Sequence, residues 1–285
     1  MAAMRQDRGM PLPVSAQVCT LNEAANIQDC LALIQANDPE EIVVIDGGSI
    51  DKTVDIATEM GARILSPGRL GLGPSRQLGW NSTNCPYVAF IDADDRIPEG
   101  WLAQMLAEVI QGEYAALQSS LRALDSGSWL SRGWNEYFIE SIRPTKYTTM
   151  VGRPAIFLTA ILKEDATPLP SLDEDTHLSR RFQERGLKQG ITEVVSYRHV
   201  ETTLAENWQK WESYGRGYRD FVAEHPERRA AIWRHMIWTV PVARTLAPIG
   251  RGRWTQPLFG ALMSSAILSG FLSPRRKSVI TEHIS

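Results

Sequence analysis

The sequence predicts an α/β fold in which helices flank a central parallel sheet. Short apolar runs rich in β-branched residues alternate with amphipathic helical segments over residues 14–111. Such alternation is typical of strand–helix–strand units with right-handed crossovers. Polar, glycine-rich or acidic segments follow several of these runs, and open α/β sheets bind ligands at the carboxyl ends of their strands. With 285 residues, the chain can form one large domain or a domain with an appendage.

Hydrophobic periodicity assigns the elements in order. We expect strands at residues 14–19, 41–45, 62–66, 87–91, 114–124, 155–162 and 191–197. We expect helices at residues 27–34, 52–60, 75–80, 98–111, 129–142, 173–186 and 204–221. Asn22 is predicted to cap the first helix, and Ser49 with Asp51 the second. Gly61 is predicted to end the second helix as a C′ residue.

Charge is distributed unevenly along the chain. Residues 228–277 contain nine Lys or Arg and no Asp or Glu, whereas residues 1–227 contain 21 basic and 32 acidic residues. We therefore predict a short tail at residues 1–13, a catalytic domain at 14–227 and a basic, apolar helical region at 228–285. The first 13 residues lack the apolar core of a signal peptide. We expect no nucleic-acid partner.

The three cysteines are predicted to be buried thiols in a reducing compartment, because their number is odd and their spacing does not suit a metal. In the basic region the longest apolar stretch, Pro257–Leu272, has 16 residues, whereas a spanning helix needs roughly 20. We expect interfacial helices on the cytoplasmic face of a membrane, since basic faces are attracted to anionic headgroups. A helical subdomain that packs on the core or forms an oligomer interface is the alternative.

An acidic triplet, Asp92-Ala93-Asp94-Asp95, directly follows the predicted strand at residues 87–91. Like charges this close repel one another, so they stay ionised mainly where a cation neutralises them. The D-x-D spacing lets two carboxylates lean to one side of an extended backbone. The pattern therefore indicates a divalent metal site for a substrate with negative charge, such as a nucleotide pyrophosphate, although an ordinary acidic turn has the same composition.

Two loops at the same predicted edge of the sheet carry further candidates. Asp46 ends the second strand and is followed by Gly47-Gly48, which permits a sharp turn. Its carboxylate suits a ribose hydroxyl or a base, as in dinucleotide sites, and a capped strand–helix loop is the alternative. The segment Thr20–Glu23 follows the first strand and is expected to lie next to Asp46, where its backbone groups could hold a ligand. The alternative interpretation is the start of a helix, with Glu23 in its first turn.

A glycine-rich loop and a second acidic cluster complete the pattern. Residues 68–76 carry three glycines with Arg69 and Arg76, so the backbone and a guanidinium could approach a phosphate, although glycines of this kind are common in plain loops. Glu174 and Asp175 open a predicted helix, where carboxylates are locally favoured. A carboxylate there could also act as a general base for an acceptor hydroxyl.

Taken together, the ordered motifs resemble those of family-2 glycosyltransferases, which are inverting enzymes with a GT-A fold. The resemblance covers roughly residues 14–220 and rests on the segments 20–23, 46–53, 73–79, 92–98 and 174–175. It departs from the family pattern at Gly47, which replaces an Asp, and at Gln77, which replaces an Asn. Gln209-Lys210-Trp211 lacks the spacing of a further family element.

The resemblance implies a GT-A fold, with a single mixed Rossmann-like sheet flanked by helices and a C-terminal helical appendage. It implies that the donor, a UDP- or GDP-linked sugar, is bound by Thr20, Asn22, Glu23, Asp46, Gly48, Arg76, Asp92, Ala93 and Asp94. Asp94, assisted by Asp92, would hold Mg²⁺ or Mn²⁺, and Asp175 would be the catalytic base. The acceptor would be a saccharide or a lipid-linked saccharide in the synthesis of a cell-surface glycan or glycoprotein.

Other functions remain open from the sequence. A polyprenyl-phosphate sugar synthase fits less well, because its anionic acceptor needs no base of the Glu174-Asp175 type. A nucleotidyltransferase would need a basic phosphate loop after the first strand, and residues 20–26 contain no Lys or Arg. A non-catalytic nucleotide-sugar-binding module is disfavoured by the presence of both acidic clusters.

Overall fold

The computed structural model describes residues 10–124, 127–170, 174–224, 226, 229–234 and 255–274. Asp173, most of the predicted tail at 1–13, and residues 235–254 and 275–285 of the predicted interfacial region lie outside these ranges. The chain divides into two compact units. The first comprises residues 1–124 and 137–200, and the second comprises residues 125–136 and 201–285. The domain boundaries predicted at residues 13 and 227 stay predictions.

The first unit is built on one eight-stranded mixed sheet with the strand order β3-β2-β1-β4-β7-β6-β8-β5. Its strands are β1 (Leu12–Thr20), β2 (Pro39–Asp46), β3 (Arg63–Leu65), β4 (Tyr87–Phe90), β5 (Asp95–Arg96), β6 (Ala116–Ala123), β7 (Ala155–Leu158) and β8 (Gln189–Arg198). Strands β3, β2, β1 and β4 are parallel neighbours, and β7 is antiparallel to both β4 and β6. The α/β prediction is thus confirmed, with a parallel half joined to a mixed one, in which β6 and β8 are parallel and β5 is antiparallel to β8.

Helices follow most of the strands, in the order that the sequence predicts except at α6. They are α1 (Ile27–Ala36), α2 (Thr53–Glu59), α3 (Leu72–Asn81), α4 (Trp101–Gly112), α5 (Trp129–Ser141), α6 (Thr159–Glu164), α7 (Glu174–Glu184), α8 (Leu204–Glu224), α9 (Arg229–Arg234) and α10 (Thr255–Leu272). Helix α1 shows why periodicity predicts them: Ile27, Cys30, Leu31 and Ile34 form its buried face. Gly61 has a φ of +77° after α2, as the C′ prediction requires.

The sheet is buried on both faces, so its central strands are nearly continuous apolar runs. Val14, Ala16 and Val18 of β1 belong to one core cluster with helices α1 and α4. Val88 and Phe90 of β4 face a second cluster with Phe157 and Phe182. Since β1, β2 and β4 are parallel, their carboxyl ends meet at one edge.

Two sequence predictions about these elements are wrong in detail, and one short strand was missed. Asn22 is not the cap of α1, because the helix begins at Ile27 and Asn22 has a φ of +57°. The predicted strand at 155–162 ends at Leu158, and its second half is the helix α6. The apolar run there is equally compatible with a strand or a helix, so local pattern could not separate them. The two-residue strand β5 was not predicted, because it is far shorter than a periodic signal.

In the second unit, α8 and α10 pack closely through glycines. A Cβ on Gly215 would lie 2.0 Å from the carbonyl oxygen of Ile267, and a Cβ on Gly270 would lie 1.9 Å from that of Glu212. Trp134 stacks on Trp211 with ring centroids 4.6 Å apart. Trp211 of α8 therefore serves packing within this unit. No helix within the described parts of the chain is both long and apolar enough to cross a bilayer.

Candidate active site

The loop after β2 is organised by the buried side chain of Asp46. Its carboxylate accepts hydrogen bonds from the backbone N–H groups of Gly48 (2.9 Å) and Ser49 (3.0 Å) and from the hydroxyls of Ser49 (2.5 Å) and Thr20 (3.3 Å). Gly48 has a φ of +93°, which an L side chain rarely adopts. Four donors fill the lone-pair sites of one carboxylate. Asp46 therefore fixes the shape of this loop, and its predicted contact with a nucleoside stays a prediction.

The loops after β1 and β2 are bonded to each other. The N–H of Asn22 donates to Ser49 Oγ at 2.8 Å, and Asn22 Oδ1 accepts the N–H of Ile50 at 2.9 Å. The N–H of Glu23 donates to Thr53 Oγ1 at 2.8 Å. Asp51 accepts the N–H of Thr53 at 3.0 Å, but the N-cap position of α2 is Lys52, so neither Asp51 nor Ser49 is the predicted cap. The two loops thus form one continuous wall at the carboxyl edge of the sheet.

The aspartates after β4 converge as the sequence predicts, and an arginine from β8 lies among them. Carboxylate oxygens of Asp92, Asp94 and Asp95 all lie within 4.8 Å of one another. Arg198 contacts Asp95 Oδ1 through Nε at 2.7 Å and Asp92 Oδ2 through Nη2 at 2.9 Å. Asp95, whose side chain is fully buried, also accepts the N–H of Asp92 at 2.9 Å. Ala93 is buried against the core, where its carbonyl oxygen accepts a bond from Arg96.

Two further arginines join the triplet to the second acidic cluster. Arg76, buried on α3, lies 3.0 Å from Asp92 Oδ1 and 3.4 Å from Glu174 Oε1. Arg153 pairs closely with Glu174 and lies 3.6 Å from Asp175 Oδ2 and 3.9 Å from Asp92 Oδ1. The side chain of Glu174 is 5% exposed and that of Asp175 is 22% exposed. Glu174 is therefore enclosed by arginines, and of these two neighbouring carboxylates Asp175 is the one with access to solvent.

Burial shifts the pKa values of these acids upward. Desolvation raises the pKa of Asp95 to about 7 against the lowering effect of Arg198. Desolvation likewise raises the pKa of Glu174 to about 7, and Arg76 opposes the shift. The pKa of Asp175 is raised by burial, while the N–H of Thr176 and the charge of Arg76 favour its ionised form. Asp175 thus combines partial access with a pKa moved toward neutrality, as a general base requires.

The donor set fits a divalent cation. Among the described residues in this cluster, five carboxylates (Asp92, Asp94, Asp95, Glu174 and Asp175) face three guanidiniums (Arg76, Arg153 and Arg198). With all eight groups ionised, the formal charge is −2, which one divalent ion would neutralise. Oxygen ligands on carboxylates are those that Mg²⁺ and Mn²⁺ prefer. Asp94, which lies 3.6 Å from Arg198 and is 27% exposed, and Asp92 are the residues that would hold the ion.

The predicted site residues thus form two neighbouring groups. Arg76, Asp92, Asp94 and Asp175 belong to one network of ion pairs, whereas Thr20, Asn22, Glu23, Asp46 and Gly48 form the wall of loops. Cys19, the residue before Thr20, lies against the first group, and its thiol has a pKa raised by burial to about 11 with Arg76 opposing. The sequence reasoning missed Arg153 and Arg198. Arg198 directly follows the strand predicted at residues 191–197, which is the one local signal that it lies at this edge.

Comparison with known sequences agrees with the motif pattern. The family model described as glycosyl transferase family 2 matches residues 15–164. A Bacillus subtilis protein described as "Putative glycosyltransferase EpsH" is 33% identical over 100 residues, which are 33% of this chain and 29% of that protein. The glycosyltransferase AglJ of Haloferax volcanii is 29% identical over 106 residues, or 35% of each chain. This chain therefore spans about a third of the length of these curated relatives.

Solved structures share the fold over a larger part of the chain. The mannosyltransferase PcManGT from Pyrobaculum calidifontis, solved with GDP-Man and Mn²⁺, has a TM-score of 0.61 at 18% identity and covers 92% of this chain and 89% of its own. Glucosyl-3-phosphoglycerate synthase from Mycobacterium tuberculosis, solved with Mn²⁺ and UDP-glucose, has a TM-score of 0.52 at 20% identity and covers 68% and 73%. These likenesses confirm the predicted GT-A fold.

Proposed function

This chain belongs to glycosyl transferase family 2, and from that premise we propose that it transfers a sugar from a nucleotide-diphosphate donor to an acceptor hydroxyl with inversion. One observation carries the proposal. Arg153 lies between Asp92 of the predicted metal site and Asp175, the predicted base, at 3.9 and 3.6 Å. The two groups that the reaction needs, one for the leaving diphosphate and one for the acceptor, are therefore neighbours.

The donor end of the reaction is assigned to the aspartate triplet and the wall of loops. Related folds have been solved with UDP-glucose or GDP-mannose and Mn²⁺, which supports a UDP- or GDP-linked donor here. A divalent ion on Asp94 and Asp92 would neutralise the charge that develops on the leaving diphosphate. Arg76, buried beside Asp92, would add positive charge on the same side of the site. The loops around Asp46 and Asn22 would enclose the nucleoside.

The acceptor end is assigned to Asp175. Its carboxylate would take the proton from the acceptor hydroxyl as that oxygen attacks the anomeric carbon from the side opposite the diphosphate. The new C–O bond forms while the bond to the diphosphate breaks, so the anomeric configuration inverts. Glu174 cannot perform this step from its position, because its side chain is 5% exposed and enclosed by Arg76 and Arg153. We assign it the role of holding those two arginines.

A membrane surface is part of the same proposal, with a saccharide or lipid-linked saccharide as acceptor. Helix α10 has no charged residue between Thr255 and Leu272, although Leu258 is 67% exposed and Leu272 is 64% exposed. A solvated helix usually carries charge on its outer face. The surrounding residues 228–277 are basic without any acid, which complements anionic headgroups. We therefore propose that the protein acts at the cytoplasmic face of the membrane.

Nucleotide release tests the transfer. The full chain is incubated with UDP-glucose, UDP-GlcNAc or GDP-mannose and Mn²⁺ or Mg²⁺, with and without a lipid extract, and free UDP or GDP is measured. We expect release with one nucleotide class and its loss at the same metal concentration in the Asp94→Asn variant. A chain that releases no nucleotide under any of these conditions would contradict the proposal. The variant Glu184→Gln on the exposed face of α7 is the matched control, because its carboxylate contacts only Arg180 among the ion pairs described for it.

Flotation with vesicles tests the membrane surface. The chain is mixed with vesicles of phosphatidylcholine alone or with phosphatidylglycerol added. We expect flotation with the anionic vesicles and a strong loss of it when Leu258 and Leu272 are both replaced by Glu. Equal flotation of that variant and the unchanged protein, or no flotation with anionic vesicles, would reject this part of the proposal.

A further inference from the structure

Arg198 is held in the aspartate cluster by a cross-strand pair. Strand β5 is antiparallel to β8, and Asp95 is directly opposite Arg198 in their register. The guanidinium uses Nε and Nη2 to reach both oxygens of Asp95, at 2.7 and 3.0 Å. Bidentate pairs of this kind are among the stronger charge-assisted hydrogen bonds. Asp95 therefore anchors Arg198, whatever the rest of the cluster does.

The same guanidinium also occupies the two carboxylates assigned to the metal ion. Its Nη2 donates to Asp92 Oδ2 at 2.9 Å, and its Nε lies 3.6 Å from Asp94 Oδ1. The carboxylate oxygens that converge within 4.8 Å of one another therefore already share one positive charge. A divalent ion on Asp92 and Asp94 would lie next to that charge and be repelled by it.

We propose that Arg198 is the resident cation of this site: it holds Asp92 and Asp94 when no metal ion is bound and weakens the binding of a free divalent ion. The ion then binds tightly only together with the donor diphosphate, whose negative charge offsets the guanidinium. This inference rests on the proposed function for the identity of the donor. The competition between Arg198 and the ion does not depend on transfer.

The geometry distinguishes Arg198 from the other two arginines. Arg76 and Arg153 each bridge from Asp92 to Glu174. Neither has an ion pair with Asp94 among the described residues, whereas Arg198 does. Arg198 can also give up Asp92 and Asp94 and still keep its two bonds to Asp95. It is thus the positioning residue whose contacts a metal ion would replace.

A charge-matched double variant tests the proposal. Arg198→Gln with Asp95→Asn removes one positive and one negative charge, so the formal charge of the cluster is unchanged. Binding of Mn²⁺ alone, without donor or acceptor, is measured by the loss of the free-ion EPR signal. We expect the double variant to bind Mn²⁺ at least about ten-fold more tightly, because the ion no longer displaces a charge-assisted hydrogen bond. UDP or GDP should then tighten Mn²⁺ binding less in the variant than in the unchanged protein.

The double variant Arg153→Gln with Glu174→Gln is the control, because it removes another guanidinium–carboxylate pair at equal net charge. We expect its Mn²⁺ affinity to stay within about two-fold of the unchanged protein, since Arg153 lies a long 3.9 Å from Asp92 and no contact of Asp94 is lost. A folded Arg198→Gln, Asp95→Asn variant with unchanged or weaker Mn²⁺ affinity would overturn the proposal. Equal tightening in both double variants would overturn it as well.

Two further measurements decide the matter if that double variant does not fold. Arg198→Lys keeps the positive charge that repels the ion, so we expect its Mn²⁺ affinity to stay within about two-fold of that of the unchanged protein, whereas Arg198→Gln alone should bind Mn²⁺ more tightly. An Arg198→Gln variant that binds Mn²⁺ no more tightly than Arg198→Lys would count against the proposal. In the unchanged protein crystallised with Mn²⁺, the separation of Arg198 Nη2 from Asp92 Oδ2 should increase from 2.9 Å to beyond hydrogen-bond range. A retained bond with Mn²⁺ on Asp92 would refute it. Failure of glycosyl transfer alone would leave these binding results unaffected.

Discussion

Replacement of Asp175 by Asn separates a chemical role of this carboxylate from a structural one. Asp175 Oδ1 accepts the N–H of Thr176 at 2.8 Å, and an Asn side-chain oxygen can accept the same bond. Its contact with Arg153 is a loose 3.6 Å at a side chain that is 22% exposed. Burial already raises the pKa of Asp175, so the ionised form is disfavoured in the folded chain and a neutral side chain is tolerated. We therefore expect the free energy of unfolding to change by less than about 1 kcal/mol.

The effect on catalysis should be much larger. Loss of a general base typically costs about 10²- to 10⁴-fold in rate, which corresponds to about 3–5 kcal/mol in the activation barrier. We expect kcat for nucleotide release in the presence of acceptor to fall by that factor. The dissociation constant for the donor with Mn²⁺ should stay within about two-fold, because the metal site is assigned to other residues. A timed assay of nucleotide release measures kcat, and calorimetric titration with the donor measures its dissociation constant.

The dependence of kcat/KM on pH tests whether Asp175 must be ionised for transfer. Because the pKa of Asp175 is raised above its ordinary value of 3.8, the base is protonated over a wider acidic range. In the unchanged protein, kcat/KM should therefore rise with pH through a limb above pH 3.8 and then level off. In Asp175→Asn this limb should be absent. A variant that keeps full kcat, keeps the limb, or loses donor binding instead of turnover would refute the assignment of Asp175 as base.

Three further predictions concern the metal, the pH dependence of stability and the second unit. Removal of divalent ions with EDTA should abolish nucleotide release and Mn²⁺ should restore it, whereas Asp94→Asn should need a higher Mn²⁺ concentration; activity that survives EDTA would contradict the metal assignment. Because burial raises the pKa of Glu174 from 4.5 to about 7, the folded chain binds more protons than the unfolded chain between those pH values, so the free energy of unfolding should fall as pH rises through this window. In denaturant titrations, Glu174→Gln should make the free energy of unfolding depend less on pH. If the variant has the same pH dependence as the unchanged protein, the raised pKa of Glu174 is contradicted. Gly215→Ala should lower the melting temperature by several degrees, because its Cβ would lie 2.0 Å from Ile267 O. A Cβ at Gly217 on the same helix meets no atom within 4 Å, so Gly217→Ala should stabilise the protein by about 1 kcal/mol. Equal changes in melting temperature for the two variants, measured by calorimetry, would rule out close packing as the cause.

Local sequence patterns were sufficient for most of the fold. The buried strands and the helices α1, α2, α4 and α8 follow from apolar periodicity, because burial on one face imposes the same spacing wherever a helix packs. The pattern failed at residues 155–162, where one apolar run contains both a strand and a helix. It also failed at Asn22, whose side chain bonds to the next loop instead of capping α1. Both outcomes depend on neighbours distant in the sequence.

Acidic residues that follow β4 and open α7 can be read from the amino-acid sequence alone, and so can the need of three close carboxylates for a nearby cation. Which cations lie among them depends on the fold. Arg198 is 103 residues from Asp95 along the chain and bonds to it because β5 and β8 pair. Arg153 reaches Glu174 and Asp175 from the loop before β7. The charge of each group follows from its residue type, but only the pairing of strands and loops brings opposite charges within bonding distance.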